Sequence, residues 1–79
     1  MLQPTYVTSS TIDAIGFQLG KLYVRFKSGA TYMYDAVPFA YFVSLKEVES
    51  AGRFLNKFIK GKHHYTKLEH DPFSGEAAA

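Results

Sequence analysis

The sequence predicts an α+β fold, in which a three-stranded antiparallel β-meander is followed by two α-helices packed on one face of the sheet. The first observation is the alternation of apolar and polar residues on both sides of Lys27-Ser28-Gly29, which is typical of a β-hairpin. The second is that apolar residues recur at intervals of three to four after Pro38, which is helical spacing. The length of 79 residues allows one domain with a thin core.

The register of the central hairpin follows from the position of Asp35. A two-residue turn at Ser28-Gly29 would place this carboxylate opposite Leu22 on the apolar face. A three-residue turn with Gly29 in the left-handed conformation places it beside Lys21 instead. Because burying an unpaired carboxylate costs far more than the difference between turn types, the second register is predicted. The core face of the hairpin then carries Leu22, Val24, Phe26, Tyr32 and Tyr34.

A weaker alternation from Ile12 to Phe17 predicts the first strand of the meander. We expect Gln18-Leu19-Gly20 to form a three-residue loop, which sets Asp13 opposite Arg25 on the outer face. The same register leaves an apolar group on that face, too large to stay bare on a small monomer. A helix, the N-terminal arm or a second copy of the chain could cover it, and we predict a homodimer. The predicted interface residues are Ile15, Phe17, Tyr23 and Met33.

Two helices are expected after the meander. Pro38 ends the third strand and suits the first turn of a helix that extends to about Glu49. Ser50 is a plausible N-cap for a second helix that ends at Gly61. Its apolar residues fall within one arc, and at roughly 100° per residue its basic residues lie nearly opposite that arc. The apolar residues are Ala51, Phe54, Leu55, Phe58 and Ile59, and the basic ones are Arg53, Lys57 and Lys60.

The predicted organisation is a flexible arm over residues 1–9, a single domain over 10–68 and a flexible C-terminal tail over 69–79. Residues 62–68 could form a short final strand or an extended basic segment, and the sequence does not decide between them. The chain has no cysteine, no apolar run long enough to span a membrane and no signal-like N-terminus. We therefore predict a cytoplasmic protein without membrane partners.

The order of these motifs resembles the KTSC domain, a small domain found at the C-terminus of some lysyl-tRNA synthetases and as free-standing proteins of bacteria and phages. The resemblance covers about residues 9 to 65. It implies the fold predicted above, and the company of a synthetase raises the expectation of RNA binding. The residues that carry the resemblance are Ile12, Gly16-Phe17, Leu22 to Phe26, Ser28-Gly29, Tyr32-Met33-Tyr34, Val37-Pro38 and Ser50 to Asn56.

The basic residues are concentrated in one segment. Five of the nine lie between positions 53 and 67, and no acidic residue occurs from 51 to 68. Cations meet phosphate oxygens and an aromatic ring stacks on a base, so this segment has the composition of a phosphate-binding stripe. The predicted function is a small non-enzymatic module that binds RNA or another phosphate-rich nucleotide ligand. The predicted binding residues are Arg53, Lys57, Lys60, Lys62, His63, His64, Tyr65 and Lys67.

Two other interpretations of these surfaces stay open. Lysines on a solvated helix face need no ligand at all. The apolar outer group would instead make the chain a protein–protein interaction or homodimerisation module without nucleic-acid binding. Salt distinguishes the two functions, because apolar association barely responds to it and phosphate binding weakens steeply.

Catalysis and metal binding find little support in the sequence. The serines lack a Gly-x-Ser-x-Gly context, no phosphate loop occurs, and the acidic residues form no obvious acid/base pair. His63, His64 and His70 do not have a recognised ligand spacing. Tyr32 and Tyr34, two apart on one strand, could stack on bases, but the predicted register turns both toward the core. We therefore predict no enzyme, no metal site and no cofactor.

Overall fold

The computed structural model describes residues 2–73, and this part of the chain forms one five-stranded antiparallel sheet and two helices. The elements are β1 (Thr5–Tyr6), β2 (Ile12–Gln18), β3 (Lys21–Phe26), β4 (Thr31–Tyr34), α1 (Phe39–Glu47), α2 (Ala51–Phe58) and β5 (Tyr65–Leu68). The strands lie in the order β1-β2-β3-β4-β5, so each pairs with its neighbour in sequence. The α+β class with two helices is as predicted, but the sheet has two strands more than the predicted three.

The central hairpin has the predicted register. Leu22 pairs with Tyr34, and the Phe26 amide donates to the Ala30 carbonyl at 2.8 Å, which closes a turn of three residues. Asp35 falls outside the apolar face, where the Lys21 ammonium donates to its carboxylate at 2.8 Å. The argument from the cost of a buried carboxylate is therefore confirmed.

The turn between β2 and β3 is one residue shorter than predicted. Gln18 pairs with Lys21, so the turn consists of Leu19 and Gly20, whose φ angles are 54° and 76°. Positive φ at both central residues is the type I′ geometry, whose twist matches that of the flanking strands. The predicted three-residue loop is wrong.

The shorter turn moves Ile15 and Phe17 to the helix-facing side of the sheet. Ile15 pairs with Val24 and Phe17 with Leu22. Ile15 is completely buried, and Phe17 packs against the core cluster. The predicted outer-face position of these two residues is therefore wrong, because pairing moved by one residue sends side chains to the opposite face.

A bulge at Asp13 restores the predicted pairing at the start of β2. Ile12 lies opposite Phe26 as expected, and the register shifts between Ile12 and Ala14. The extra residue allows the Asp13 carboxylate to reach the Arg25 guanidinium at 2.7 Å. The predicted charge pair is thus present, although the strand around it has the other register.

Both helices contribute to the core on one face of the sheet. The N-terminus of α1 follows Pro38, and the Ser50 hydroxyl accepts from the Arg53 amide at 3.4 Å to cap α2. Both helix starts agree with the predictions. No helix within residues 2–73 is long and apolar enough to cross a membrane. The buried core cluster consists of Ile12, Ile15, Leu22, Val24, Tyr34, Val37, Leu45, Ala51, Leu55 and Ile59.

The outer face of the sheet is covered by the two ends of the described chain. Leu2 and Phe73 are buried and form a parallel bridge. A Cβ atom at Gly16 would lie 2.7 Å from the Phe73 ring and 3.1 Å from Leu2, so both side chains rest directly on the Gly16 backbone. Of the predicted interface, only Tyr23 and Met33 stay on this face, paired with each other and half-buried.

Ion pairs hold the C-terminal segment against the same face. Arg25 is 8% exposed, and its guanidinium donates to Asp13 and, at 2.8 Å, to Asp71. The Phe73 amide donates to the Asp71 carboxylate at 3.0 Å, and the Phe73 ring lies 5.2 Å from the guanidinium carbon. Segments that the sequence assigned to an arm and a tail therefore extend the fold beyond 10–68. Residues 1 and 74–79 of those assignments lie outside the described residues.

Candidate nucleic-acid interface

The outer side of α2 carries exposed cations. Ala51 and Leu55 face the core, whereas Arg53 and Lys57 are exposed on the other side of the helix, and Lys60 is exposed just after its end. Within residues 2–73 none of these three cations forms an ion pair. The positive charge that the sequence predicted on this helix is therefore available to an external anion.

The segment after α2 ends in a strand that carries an exposed aromatic ring. β5 pairs with β4, which answers the question that the sequence left open, and it places Tyr65 opposite Tyr34. The Tyr65 ring stacks on the Tyr32 ring with a centroid distance of 5.3 Å and an interplanar angle of 7°. Tyr65 is 53% exposed. We call Tyr32 and Tyr65 the tyrosine platform.

The rings behind the platform hold it in place. Tyr34 is buried in the core as predicted, 5.9 Å from the Tyr65 ring, and burial raises its pKa, with Tyr32 and Tyr65 adding to the effect. Phe26 packs edge-on against Tyr32 at 5.6 Å. Because Tyr32 is held from both sides, Tyr65 lies on a fixed surface and can present a ring face to solvent.

Lys67 lies beside the platform. It pairs directly with Tyr32 across the β4–β5 ladder, and directly opposed residues lie on the same face of a sheet. Tyr65 is two positions away on β5 and therefore shares that face. The structure thus brings together a stacking ring and a cation at the distance that separates alternate residues of one strand.

The two adjacent histidines are bound to the end of β4. The His63 ring lies 3.2 Å from the Asp35 carbonyl and packs edge-on against Tyr41, and the His64 ring lies 3.1 Å from the Asp35 carboxylate. Hydrogen bonds from Lys21 and then from His64 lower the pKa of Asp35. The His64 side chain is 79% exposed and its hydrogen bond lies at the ring edge, so stacking of these rings on a base stays a prediction. Residues 2–73 contain no cluster of histidines and acids that could hold a metal ion.

A cleft beside α2 contains residues that the sequence did not single out as a site. It has a volume of about 420 Å³ and lies between α2 and the turn that joins β3 to β4. No local pattern could reveal it, because its residues come from three distant parts of the chain. It is lined by Ser10, Thr11, Phe26, Lys27, Ser28, Asn56 and Lys60.

Comparison with known proteins identifies the family. The sequence model of the KTSC domain matches residues 8–65. The chain belongs to the KTSC domain family. The match agrees with the resemblance seen in the sequence and includes β2 to β4 and both helices, whereas β1 and most of β5 lie outside the matched KTSC residues.

Relatives of this KTSC domain occur in several bacteria. A protein of Tsukamurella paurometabola is 44% identical over 69 residues, which are 85% of this chain and all of that protein. An uncharacterized protein of Stutzerimonas stutzeri is 38% identical over 58 residues, 71% of this chain and 82% of that one. The crystal structure of a KTSC domain protein from Yersinia pestis is 34% identical, with a TM-score of 0.77, and the match covers 86% of this chain and 99% of that one.

Proposed function

We propose that this KTSC domain is a non-enzymatic module that binds single-stranded RNA through the exposed cations of α2 and β5, with the tyrosine platform as its stacking surface. The observation that carries the proposal is the half-exposed Tyr65 ring, stacked on Tyr32 and next to Lys67. An exposed ring fixed beside a cation matches both parts of a nucleotide, since the ring stacks on the base and the cation meets the phosphate.

The cations supply the sequence-independent part of the affinity. Arg53 and Lys57 on α2 and Lys60, Lys62 and Lys67 beyond it are all exposed. If three or four of them contact phosphates, the released counterions make binding steeply dependent on salt. With a slope of about −0.7 per contact for a single strand, a fivefold rise in salt weakens binding roughly 30- to 100-fold.

The platform favours a single strand over a duplex. A base can reach the face of Tyr65 only when it is unstacked from its neighbours, and bases in a duplex stay stacked and paired. The platform offers a ring face and no converging set of hydrogen-bond donors and acceptors. We therefore expect little preference among base sequences.

The test is fluorescence anisotropy with a labelled oligouridylate of about ten nucleotides whose 5′ end is a hydroxyl, at about 50 mM and about 250 mM salt. Tyr65→Ala should weaken binding about tenfold, because a stacked base contributes about 1–3 kcal/mol. Tyr65→Phe keeps the ring and should bind like the parent. Lys57→Glu with Lys60→Glu should weaken binding at low salt by more than tenfold, since two attractive charges become repulsive.

Lys46→Glu is the matched control for charge, because Lys46 is exposed on α1 and belongs to the other helix. It should change the affinity much less than the pair of substitutions on α2. Absence of binding by the parent at low salt, or equal binding by the Tyr65→Ala variant, contradicts the proposal. In that case sedimentation of the parent tests the alternative, the homodimer, which stays a prediction along with the cytoplasmic location.

A further inference from the structure

The cleft between α2 and the β3–β4 turn has the size and composition of a small-ligand site. Its volume of about 420 Å³ falls within the range of about 300–1,000 Å³ that is common for such sites. Phe26 provides an apolar wall, and Asn56 and three hydroxyl side chains provide hydrogen-bonding groups. The combination of one ring with several polar groups is typical of a site that orients a ligand.

The charge of the cleft is purely positive. Lys27 reaches it from the β3–β4 turn and Lys60 from the end of α2, and no carboxylate belongs to the lining. Within residues 2–73 neither lysine forms an ion pair. Two cations from distant parts of the chain line the same cleft, and a bound anion of charge close to −2 would neutralise both.

The three segments that form the cleft contact one another closely. The Lys27 amide donates to the Thr11 carbonyl at 2.8 Å, which joins the turn to the segment before β2. On the other side α2 approaches the same segment closely, because a Cβ atom at Gly52 would lie 2.9 Å from the Thr11 hydroxyl oxygen. The three segments that form the cleft are therefore held together before any ligand arrives, which lowers the cost of ordering the site.

We propose that this cleft binds the phosphomonoester group of a nucleotide, with the phosphate between Lys27 and Lys60 and the nucleoside against Phe26. The inference rests on the proposed function only in taking the ligand to be a nucleotide. A phosphomonoester carries about −1.5 to −2 charges at pH 7, whereas each phosphodiester of a strand carries one, so paired lysines favour the former. The partial negative charge of about one half at the C-terminal end of α2 is smaller than the two positive charges.

The ligand could come from two sources, a free mononucleotide or the phosphorylated 5′ end of an RNA strand. AMP and adenosine separate the phosphate from the nucleoside, and ¹H–¹⁵N correlation spectra of the full chain show where each one binds. AMP should shift the signals of Thr11, Lys27, Ser28 and the Asn56 side-chain amide in a saturable way, and adenosine should leave them unchanged at the same concentration. A 5′-phosphorylated oligouridylate that binds more tightly than its 5′-hydroxyl counterpart would identify the strand end as a source.

Substitutions of the two lysines test the assignment. Lys27→Gln and Lys60→Gln should each weaken AMP binding about tenfold, because each removes one charged hydrogen-bond donor to the phosphate. Lys46→Gln is the matched control, since Lys46 is an exposed lysine of α1 that lies outside the cleft. It should leave AMP affinity within about twofold of the parent. All three residues are exposed, and thermal melting checks that each variant stays folded.

The outcomes also separate this inference from the RNA-binding proposal. AMP shifts at the cleft without binding of the 5′-hydroxyl oligouridylate support the cleft and contradict the tyrosine platform. Equal shifts by adenosine and AMP, AMP shifts confined to Tyr65 and its neighbours, or unchanged AMP affinity in Lys27→Gln all overturn the assignment of the cleft. Equal affinity for the two oligouridylates, together with AMP shifts at the cleft, supports the cleft with the free mononucleotide as its ligand.

Discussion

Phe73→Ala tests whether the end of the chain is part of the fold. Phe73 is 2% exposed, lies over the Gly16 backbone and faces the Arg25 guanidinium. It belongs to a stretch whose Asp-Pro and Ser-Gly neighbours predict only a turn and a tail. If the stretch were a tail, removing this ring would have no effect on stability.

The expected cost of the substitution can be worked out from these contacts. Burying a phenylalanine side chain stabilises a fold by about 1.5–3 kcal/mol, and a cation over its face adds about 0.5–1 kcal/mol. Core Phe→Ala substitutions cost about 3–5 kcal/mol when the cavity cannot collapse. Because Phe73 lies outside the buried core cluster, we expect a loss near the sum of the burial and cation contributions and below the core range, about 2–3 kcal/mol.

The assay is thermal unfolding followed by circular dichroism. For a domain of this length, a loss of about 2–3 kcal/mol lowers the melting temperature by about 10–20 °C. The matched control is His70→Ala, in the same segment but exposed, which should shift the melting temperature by no more than about 2 °C. A Phe73→Ala variant that melts together with the parent would refute the packed position of the ring.

Two further predictions concern the sheet. Ile15→Asp should abolish the folded circular dichroism spectrum, because Ile15 is fully buried. A native spectrum would instead support the register that places Ile15 on the outer face. Asp35→Asn should be less stable than the parent at pH 7. The difference in urea-unfolding free energy between the two proteins should vanish as the pH falls through the folded pKa of Asp35. Hydrogen bonds from Lys21 and His64 hold that pKa below its ordinary value of 3.8. Because the pKa is lowered in the folded state, the carboxylate stabilises the fold above its ordinary pKa, and this stabilisation is lost as the pH falls through the folded pKa. A difference in unfolding free energy that is the same at pH 7 and pH 2 would contradict the role of this carboxylate.

The register of the central hairpin could be predicted because burying the Asp35 carboxylate would cost more free energy than any difference between turn types. Either turn at Gly29 is sterically acceptable, but only one keeps Asp35 out of the apolar face. The helices were predictable for a similar reason, since Pro38 and Ser50 mark their starts by mechanisms that depend on local chemistry alone. Where the free energy of one local interaction exceeds that of the alternatives, the sequence is sufficient to predict the structure.

The register of β2 was not predictable in this way, because the competing energies are similar. The two-residue turn requires Leu19 to adopt a left-handed conformation, which costs about 1–2 kcal/mol. Burying Ile15 stabilises the fold by about 1.5–3 kcal/mol, and Phe17 adds to this through its contacts with Phe39 and Phe42. The strained turn is tolerated because the free energy of burying Ile15 and Phe17 outweighs the cost of the left-handed Leu19. This balance depends on neighbours that the sequence does not reveal.

The ends of the chain show the limit of local patterns more strongly. Leu2 and Phe73 lie in short segments that show no apolar periodicity. They are buried because they contact each other and Gly16, whose missing side chain leaves the space that both of them fill. The sequence predicts an apolar outer face that needs a cover, and the N-terminal arm is one of the segments that could cover it. The contribution of the C-terminal segment could be found only in three dimensions.

The candidate sites could likewise be predicted only in part from the sequence. The run of cations from Arg53 to Lys67 is visible in the composition, but composition does not say which cations act together. In the fold Lys67 lies beside the tyrosine platform, whereas Lys60 borders a different cavity together with Lys27, a residue that the sequence places only in a turn. A strand of phosphodiesters and a single phosphomonoester are different ligands, and the two proposals differ in how the cations lie around a ring. The β3–β4 turn and the close approach of α2 at Gly52 set that arrangement for Lys27 and Lys60, so the proposal of a phosphomonoester depends on packing rather than on composition.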